Sequence, residues 1–200
     1  MALVNNNVLF ENKDNELDGF SFQFHTAYHF DATKFGIWLR DHYCKPRGVK
    51  HILEDINNIE TNDDGIVSLN SKHKADMFID CTGFKSLLLG KTLNENFNDY
   101  SNLLPNNKAW ATKIPYKNKS KELVPYTNCT AIENGWVWNI PSWKRIGTGY
   151  VYSDKYISDD NALQEFKKHL DSKGSDYSKS EFKNIKMRVG IHDRIFVKNV

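Results

Sequence analysis

The 200-residue sequence has no apolar stretch near the roughly 18 residues a membrane-spanning helix needs, and no basic-then-apolar leader follows Met1. These absences predict a soluble, cytoplasmic protein without membrane attachment. Cysteine is scarce. Cys44, Cys81 and Cys129 are odd in number and widely spaced, which suits neither a disulfide framework nor a CxxC metal site, so reduced thiols are expected. Neither sign of charge dominates: 27 Lys and Arg face 25 Asp and Glu, scattered along the chain, and nucleic acid is not an expected partner. Internal repeats and low-complexity tracts are also absent. So is a GxGxxG turn, the loop that sets a dinucleotide pyrophosphate on a helix amino end.

What is present is a globular composition, 40% hydrophobic and 13% aromatic, enough for one generous core or two smaller ones. The first twenty residues are polar and Asn-rich apart from Val8-Leu9-Phe10 and read as a surface connection. Asp31 can cap a helix over about 32–44, in which Phe35, Trp38, Leu39 and Tyr43 recur at helical spacing until Pro46 and Gly48 stop it. Strands are predicted over 51–59, 66–69 and 75–80, with Asn62-Asp63-Asp64-Gly65 as a turn. Met77-Phe78-Ile79 reads as a strand buried on both faces, whose carboxyl end is where layered folds place ligands. Residues 90–108 read as irregular. Short β-prone runs at 109–116, 126–132, 135–140 and 147–152 then predict an antiparallel sheet. Ser158 opens a second helix with Leu163, Phe166 and Leu170 on one face, ended by Gly174. Ile195-Phe196-Val197 reads as a strand cut short at Val200. The expected class is α/β (α+β), a layered α/β part beside an antiparallel sheet.

The most specific motif is Gly135-Trp136-Val137-Trp138-Asn139-Ile140-Pro141. Two tryptophans at strand spacing put both indoles on one face, and the following proline is expected to end ladder pairing, which makes a rigid apolar wall. Physics alone reads such a pair more often as core or partner-binding surface than as part of a catalytic site. His25 and His29 stand four apart near Asp31, but no third ligand is evident, so a metal site is not expected. Cys81-Thr82-Gly83 ends the predicted buried strand; without a His or Asp placed to activate it, Cys81 reads as a buried thiol rather than a nucleophile. Ile56 reads as an apolar strand residue in the core.

These residues carry a resemblance. Trp136-Val137-Trp138-Asn139-Ile140-Pro141 is similar to the WxWxIP signature of flavin-dependent tryptophan halogenases. Tyr28-His29-Phe30-Asp31-Ala32 resembles that family's YHFDA segment, and Ala75 through Phe84 resembles its ADLFVDCTGF strand and turn. Leu104 through Ala109, Pro125-Tyr126-Thr127, Gly149 through Ser153 and Met187 through Gly190 follow in the family's order. The resemblance runs from about Phe10 to Val200 and implies an FAD-binding layered α/β domain of the flavin monooxygenase type plus the antiparallel sheet of the substrate side. It divides the chain into a connector at 1–30, the later part of the FAD-binding region at 31–90, the sheet carrying the tryptophan motif at 91–157, and a helix with a return to the FAD-binding core at 158–200.

It further implies that Trp136, Trp138, Ile140 and Pro141 wall the tunnel between flavin and substrate, and that Ile56, Cys81, Thr82 and Gly83 lie against FAD. The family's activity uses FADH2, supplied by a separate flavin reductase, with oxygen and chloride or bromide, to halogenate the indole ring of tryptophan. The catalytic lysine and glutamate of the family are expected outside these 200 residues, as is the glycine-rich pyrophosphate turn, so the chain reads as an internal fragment that is inactive alone. The alternatives are a related flavin monooxygenase, a halogenase of another aromatic, or a non-catalytic remnant that acts as a binding protein. Ring position, halide and oligomeric state stay open, a homodimer among the options.

Overall fold

Residues 27–200 are described in the computed structural model of the chain, so the predicted connector at the start and His25 lie outside the described residues. The described residues fall into two units: one contains residues 27–48 and Lys108–Ile185, the other Val49–Asn107 and Lys186–Val200.

Side chains that alternate along adjacent strands build the first unit. A five-stranded antiparallel sheet has the spatial order β5-β6-β7-β4-β8, from β4 (Lys108–Ile114), β5 (Asn128–Ile132), β6 (Gly135–Ser142), β7 (Arg145–Tyr152) and β8 (Lys183–Lys186). The rows Val137↔Tyr150↔Trp110 and Pro141↔Ile146↔Ile114 point to one face of it. That face is covered by the long helix α3 (Asp159–Ser172), which buries Ala162, Phe166 and Leu170. The Phe166 ring lies 6.2 Å from that of Tyr150, tilted by 40°, and meets Phe182 edge-on at 5.9 Å. Ser158 caps α3 by accepting from the backbone N–H of Asn161, Asp159 and Asp160 oppose the positive helix end, and Gly174 takes the left-handed conformation at φ 65° beyond its end. Polar ties clamp helix to sheet: Lys108 Nζ donates to Asp159 at 2.9 Å, the Trp110 indole N–H donates to the Asp159 carbonyl, and the Tyr150 hydroxyl donates to Glu165.

The first helix of this unit, α1 (Ala32–Trp38), starts where predicted, with Asp31 accepting from the Lys34 N–H. It continues as a wider turn over Leu39–Cys44 and a tight one over Lys45–Arg47 before Gly48 at φ 85°. Its apolar residues Phe35, Trp38 and Tyr43 stay about half exposed. A short helix α2 (Lys119–Glu122) joins β4 to β5.

The second unit is built from smaller pieces. A hairpin pairs β1 (Ile59–Asn62) with β2 (Gly65–Leu69) across Asp63-Asp64, where the Asn62 side chain accepts from the Asp64 and Gly65 N–H groups. A second antiparallel pair, β3 (Phe97–Asp99) with β9 (Gly190–His192), lies in stretches read from sequence as irregular or unassigned. Its core is Ile66, Phe78, Leu88 and Val200.

Three expectations fail here. The segment over 51–58 forms no strand: ladder pairing begins at Ile59, and the end of the segment is held instead by Asn70, whose N–H donates to the Asn58 carbonyl and whose side chain accepts from the Asn57 and Asn58 N–H groups. The run Met77-Phe78-Ile79 belongs to no strand: only Phe78 is buried, while Met77 and Ile79 are 58% and 76% exposed. An alternating pattern lets one side chain in three face the core, so apolar continuity alone did not measure burial. Residues 195–197 form no strand either; Val197 and Val200 close a turn on each other instead. Its neighbour Asn199 takes the part of a strand, donating to the Ile66 carbonyl and accepting from the Ile66 N–H while its own carbonyl accepts from the Phe78 N–H.

Candidate functional site

Alternation along β6 sorts the tryptophan motif between the two faces of the sheet. Trp136, Trp138 and Ile140 point away from α3; Val137, Asn139 and Pro141 point toward it. The indoles of Trp136 and Trp138 lie 6.1 Å apart, tilted by 60°. Small neighbours make room for them. Cys129 and Gly149 flank Trp138 across the sheet, Ala131 and Val151 flank Trp136, and Ala111 and Ala109 extend the same rows on β4. The Trp138 ring lies directly over Gly149, where any Cβ would strike it. Glycine is therefore required at 149 for a close approach rather than for a turn. Trp136 is 37% exposed and Trp138 half-buried, so this face presents an apolar wall to its surroundings.

Pro141 does not end the ladder as the sequence led us to expect. Strand β6 continues through Pro141↔Ile146 to Ser142↔Arg145, closed by Trp143-Lys144. In a two-residue hairpin the pair flanking the turn exchanges hydrogen bonds and the next does not, so the proline nitrogen faces the β5 side. There β5 has already ended its pairing at Asn128↔Asn139, and the missing N–H costs no ladder bond.

The far end of this strand is held by other motif segments. His29 Nδ1 lies 2.9 Å from the Pro141 carbonyl, and its Nε2 lies 3.2 Å from the Thr127 hydroxyl. A carbonyl only accepts, so Nδ1 carries the proton and Nε2 accepts from Thr127 in the neutral ring. Asp31, besides capping α1, pairs with Arg145 on β7 at 3.5 Å. Its carboxyl lies below the usual range, chiefly because the Lys34 N–H donates to it. Tyr28-His29-Phe30-Asp31 thus locks the start of α1 to the hairpin end, a use that no spacing rule reveals because the contacts span more than 110 positions.

In the second unit, Thr82 and Cys81 sit exposed in the turn before Gly83–Lys85, a tight helical turn entered at Gly83 with φ 62°. The Cys81 thiol is exposed, a correction to the buried thiol read from sequence: the preceding strand it was to end does not form. Asp80, unremarked in the sequence, organises this turn. One carboxylate oxygen accepts from the Thr82 N–H and hydroxyl, the other from the N–H groups of Leu88 and Leu89. Burial pushes its pKa up, but those hydrogen bonds outweigh it and hold the carboxyl below its ordinary value. The Asp-x-Thr spacing was the available signal. At Gly83 nothing lies within 4 Å of where a Cβ would project, so the backbone here is open to close approach by a ligand, and the positive φ favours glycine. Ile56 is half-buried in the irregular segment before β1. Among the described residues no group of His, Cys, Asp and Glu is arranged to hold a metal ion, and no helix is long and apolar enough to cross a membrane.

The family model for tryptophan halogenases matches residues 2–200. The chain belongs to the tryptophan halogenase family. It is 36% identical over 182 residues to the tryptophan 6-halogenase SttH of Streptomyces toxytricini, covering 88% of this chain and 34% of that protein. To the tryptophan 7-halogenase RebH of Lentzea aerocolonigenes it is 34% identical over 180 residues, 86% of this chain and 33% of the relative. Among solved structures, the apo structure of VirX1 superposes with a TM-score of 0.89 at 43% identity, covering 98% of this chain and 38% of that one. Tar14, a tryptophan C-6 flavin-dependent halogenase from taromycin biosynthesis, gives 0.77 at 35% identity over 86% of this chain and 34% of its own. The chain thus spans about a third of the length of the curated relatives it matches. Within the tryptophan halogenase family, the mixed α/β class with antiparallel sheets is the fold seen here.

Proposed function

We propose that this chain supplies the tunnel wall and part of the flavin site of an FADH2-dependent halogenase that chlorinates or brominates the indole of tryptophan. The observation that carries the proposal is the Trp136 and Trp138 face: two indoles on a sheet, seated on small residues and turned away from the core. When bound, FAD supplies the oxidising chemistry that converts halide to hypohalous acid, with a flavin reductase providing the reduced cofactor. The protein's own part is geometric. Trp136, Trp138 and Ile140 form an apolar boundary that keeps an organic substrate at a distance and withholds water from a reactive intermediate. Pro141, facing the helix side, sets the end of the wall strand through the His29 bond rather than lining it.

In the second unit, the open backbone at Gly83 and the exposed Cys81-Thr82 pair fit close approach of the FAD adenosine and pyrophosphate, with Asp80 holding the turn in shape and Ile56 meeting the adenine. No aspartate, glutamate or lysine of this chain is assigned as the catalytic acid or halogen carrier.

The test is an assay of the complete reading frame containing this chain, with FAD, an NADH-driven flavin reductase, halide and tryptophan, read by mass spectrometry. Halogenated tryptophan is expected, and Trp138→Ala should lower its yield at least tenfold while flavin absorbance stays bound. A hydroxylated product would move the protein to the flavin monooxygenases. Full halogenation by a folded Trp136→Ala/Trp138→Ala double variant would remove the wall from the mechanism.

A further inference from the structure

On the opposite side of the sheet from the indole wall lies a cavity of about 310 Å³, the lower end of the range for small-molecule sites. Strand alternation makes it separate from the wall: its sheet-side lining comes from Asn128 and Thr130 on β5, Asn139 and Pro141 on β6, Ile146 on β7 and Ile114 on β4, all on the α3 face. Leu170 of α3 completes an apolar floor. The rim is polar and of both signs. Glu122, at the end of α2, keeps one carboxylate oxygen on the Asn118 N–H, and among the described residues the other makes no hydrogen bond. Lys173, at the end of α3, forms no ion pair with any described residue. Tyr126, Asn139 and the His169 ring line the same space, and among the described residues their side chains make no hydrogen bond.

A cavity with an apolar floor, one carboxylate, one ammonium and three unused polar groups has a matching ligand chemistry. We propose that this cavity is a second small-molecule site, for a free α-amino acid with an apolar or aromatic side chain. The Glu122 carboxylate receives the ligand ammonium, Lys173 its carboxylate, and the floor of Ile114, Ile146 and Leu170 its side chain. Tyr126 and Asn139 stand ready to complete the hydrogen bonds of the two charged ends. Burial first, and Lys173 second, lower the His169 pKa from 6.5, so at pH 7 the ring is a neutral donor and acceptor that does not repel the ligand ammonium. A volume of about 310 Å³ matches a ligand the size of one amino acid.

The 200-residue chain should be titrated calorimetrically with L-tryptophan and L-phenylalanine, with tryptamine and indole-3-propionate as probes lacking one charged end each. Saturable one-site binding of both amino acids is expected. Glu122→Gln should weaken amino-acid and tryptamine binding at least tenfold but leave indole-3-propionate unchanged; Lys173→Gln should do the reverse for the two probes. Both residues lie at the surface ends of helices, so circular dichroism is expected to stay native. Trp138→Ala, on the other face, should leave the affinity alone whatever becomes of halogenation, which keeps this proposal distinct from that of the wall. Absence of saturable binding, or binding that ignores Glu122→Gln and Lys173→Gln, or binding lost with Trp138→Ala alone, would each overturn it.

Discussion

The two units solve the folding problem differently. In the first, sequential hairpins and one amphipathic helix bury whole side chains: Val137, Tyr150, Tyr152, Ala162 and Phe166 are fully inaccessible. In the second, four buried residues, Ile66, Phe78, Leu88 and Val200, make the core, while Leu103 and Ile195 stand 80% and 89% exposed. Its shape rests instead on individual polar clamps: Asp80 on two turns, Asn199 between Ile66 and Phe78, and Glu95 holding the Arg194 guanidinium at 2.6 Å. Area buried adds up over many contacts and tolerates the loss of one; a clamp works singly and fails singly. The unit that carries the proposed wall is therefore the stiffer one, and the unit with the proposed flavin turn is easier to loosen.

All five tryptophans lie in the first unit, so their fluorescence follows that unit alone, while amide hydrogen exchange can follow the second. The largest expected effect is that of Phe166→Ala, which empties the centre of the first core and should cost about 3–5 kcal/mol by urea titration of tryptophan fluorescence. Amides of the β1-β2 hairpin should keep their exchange rates. Gly149→Ala comes next. A Cβ there meets the Trp138 ring, so overpacking of about 1–3 kcal/mol and a shifted emission maximum are expected. Unchanged fluorescence would mean that the wall is looser than described. Asp80→Ala removes the hydrogen bonds of one carboxylate, about 1–2 kcal/mol, and should speed exchange at Leu88 and Leu89 while leaving tryptophan fluorescence untouched.

Titration gives the smallest difference at pH 7, because both limbs lie far from it. Glu95 is held below its ordinary value of 4.5, first by the Arg194 guanidinium, and Asp80 below 3.8. Groups with depressed pKa contribute stability present above their unfolded value and lost as pH falls through the folded one; Glu54, Glu60 and Asp193 of the second unit are lowered as well, against Asp31, Asp41 and Asp176 in the better-packed first, so acid below about pH 4 should open the second unit first. In the first unit, burial raises Tyr150 and Tyr152 above 10.0, helped by hydrogen bonds to Glu165 and Asp159. Their contribution is complete below the unfolded value and lost as pH rises beyond it, so alkali above about pH 10 should open the first unit first. Exchange and fluorescence measured across both limbs check the order; reversal on either limb would break the contrast between the units.

Much of the first unit was legible before any coordinates. The four strand runs from 109 to 152, the Ser158 cap, the Phe166 and Leu170 face and the Gly174 stop all lie where local rules put them, because period and punctuation are local properties. The same rules placed both indoles on one face. They failed where burial or pairing depends on distant chain. Met77 and Ile79 are as apolar as Phe78, yet only the one aimed at Leu88 and Val200 is covered. Strand β3 finds its partner nearly a hundred residues away, a pairing no local pattern encodes. Residue types and their alternation by themselves determined the sheet, its helix and the family signature. Only tertiary structure decided that His29 grips Pro141, that Asp80 holds the Gly83 turn, and that Glu122 and Lys173 rim one cavity, because each contact joins groups whose meeting depends on how the whole chain packs.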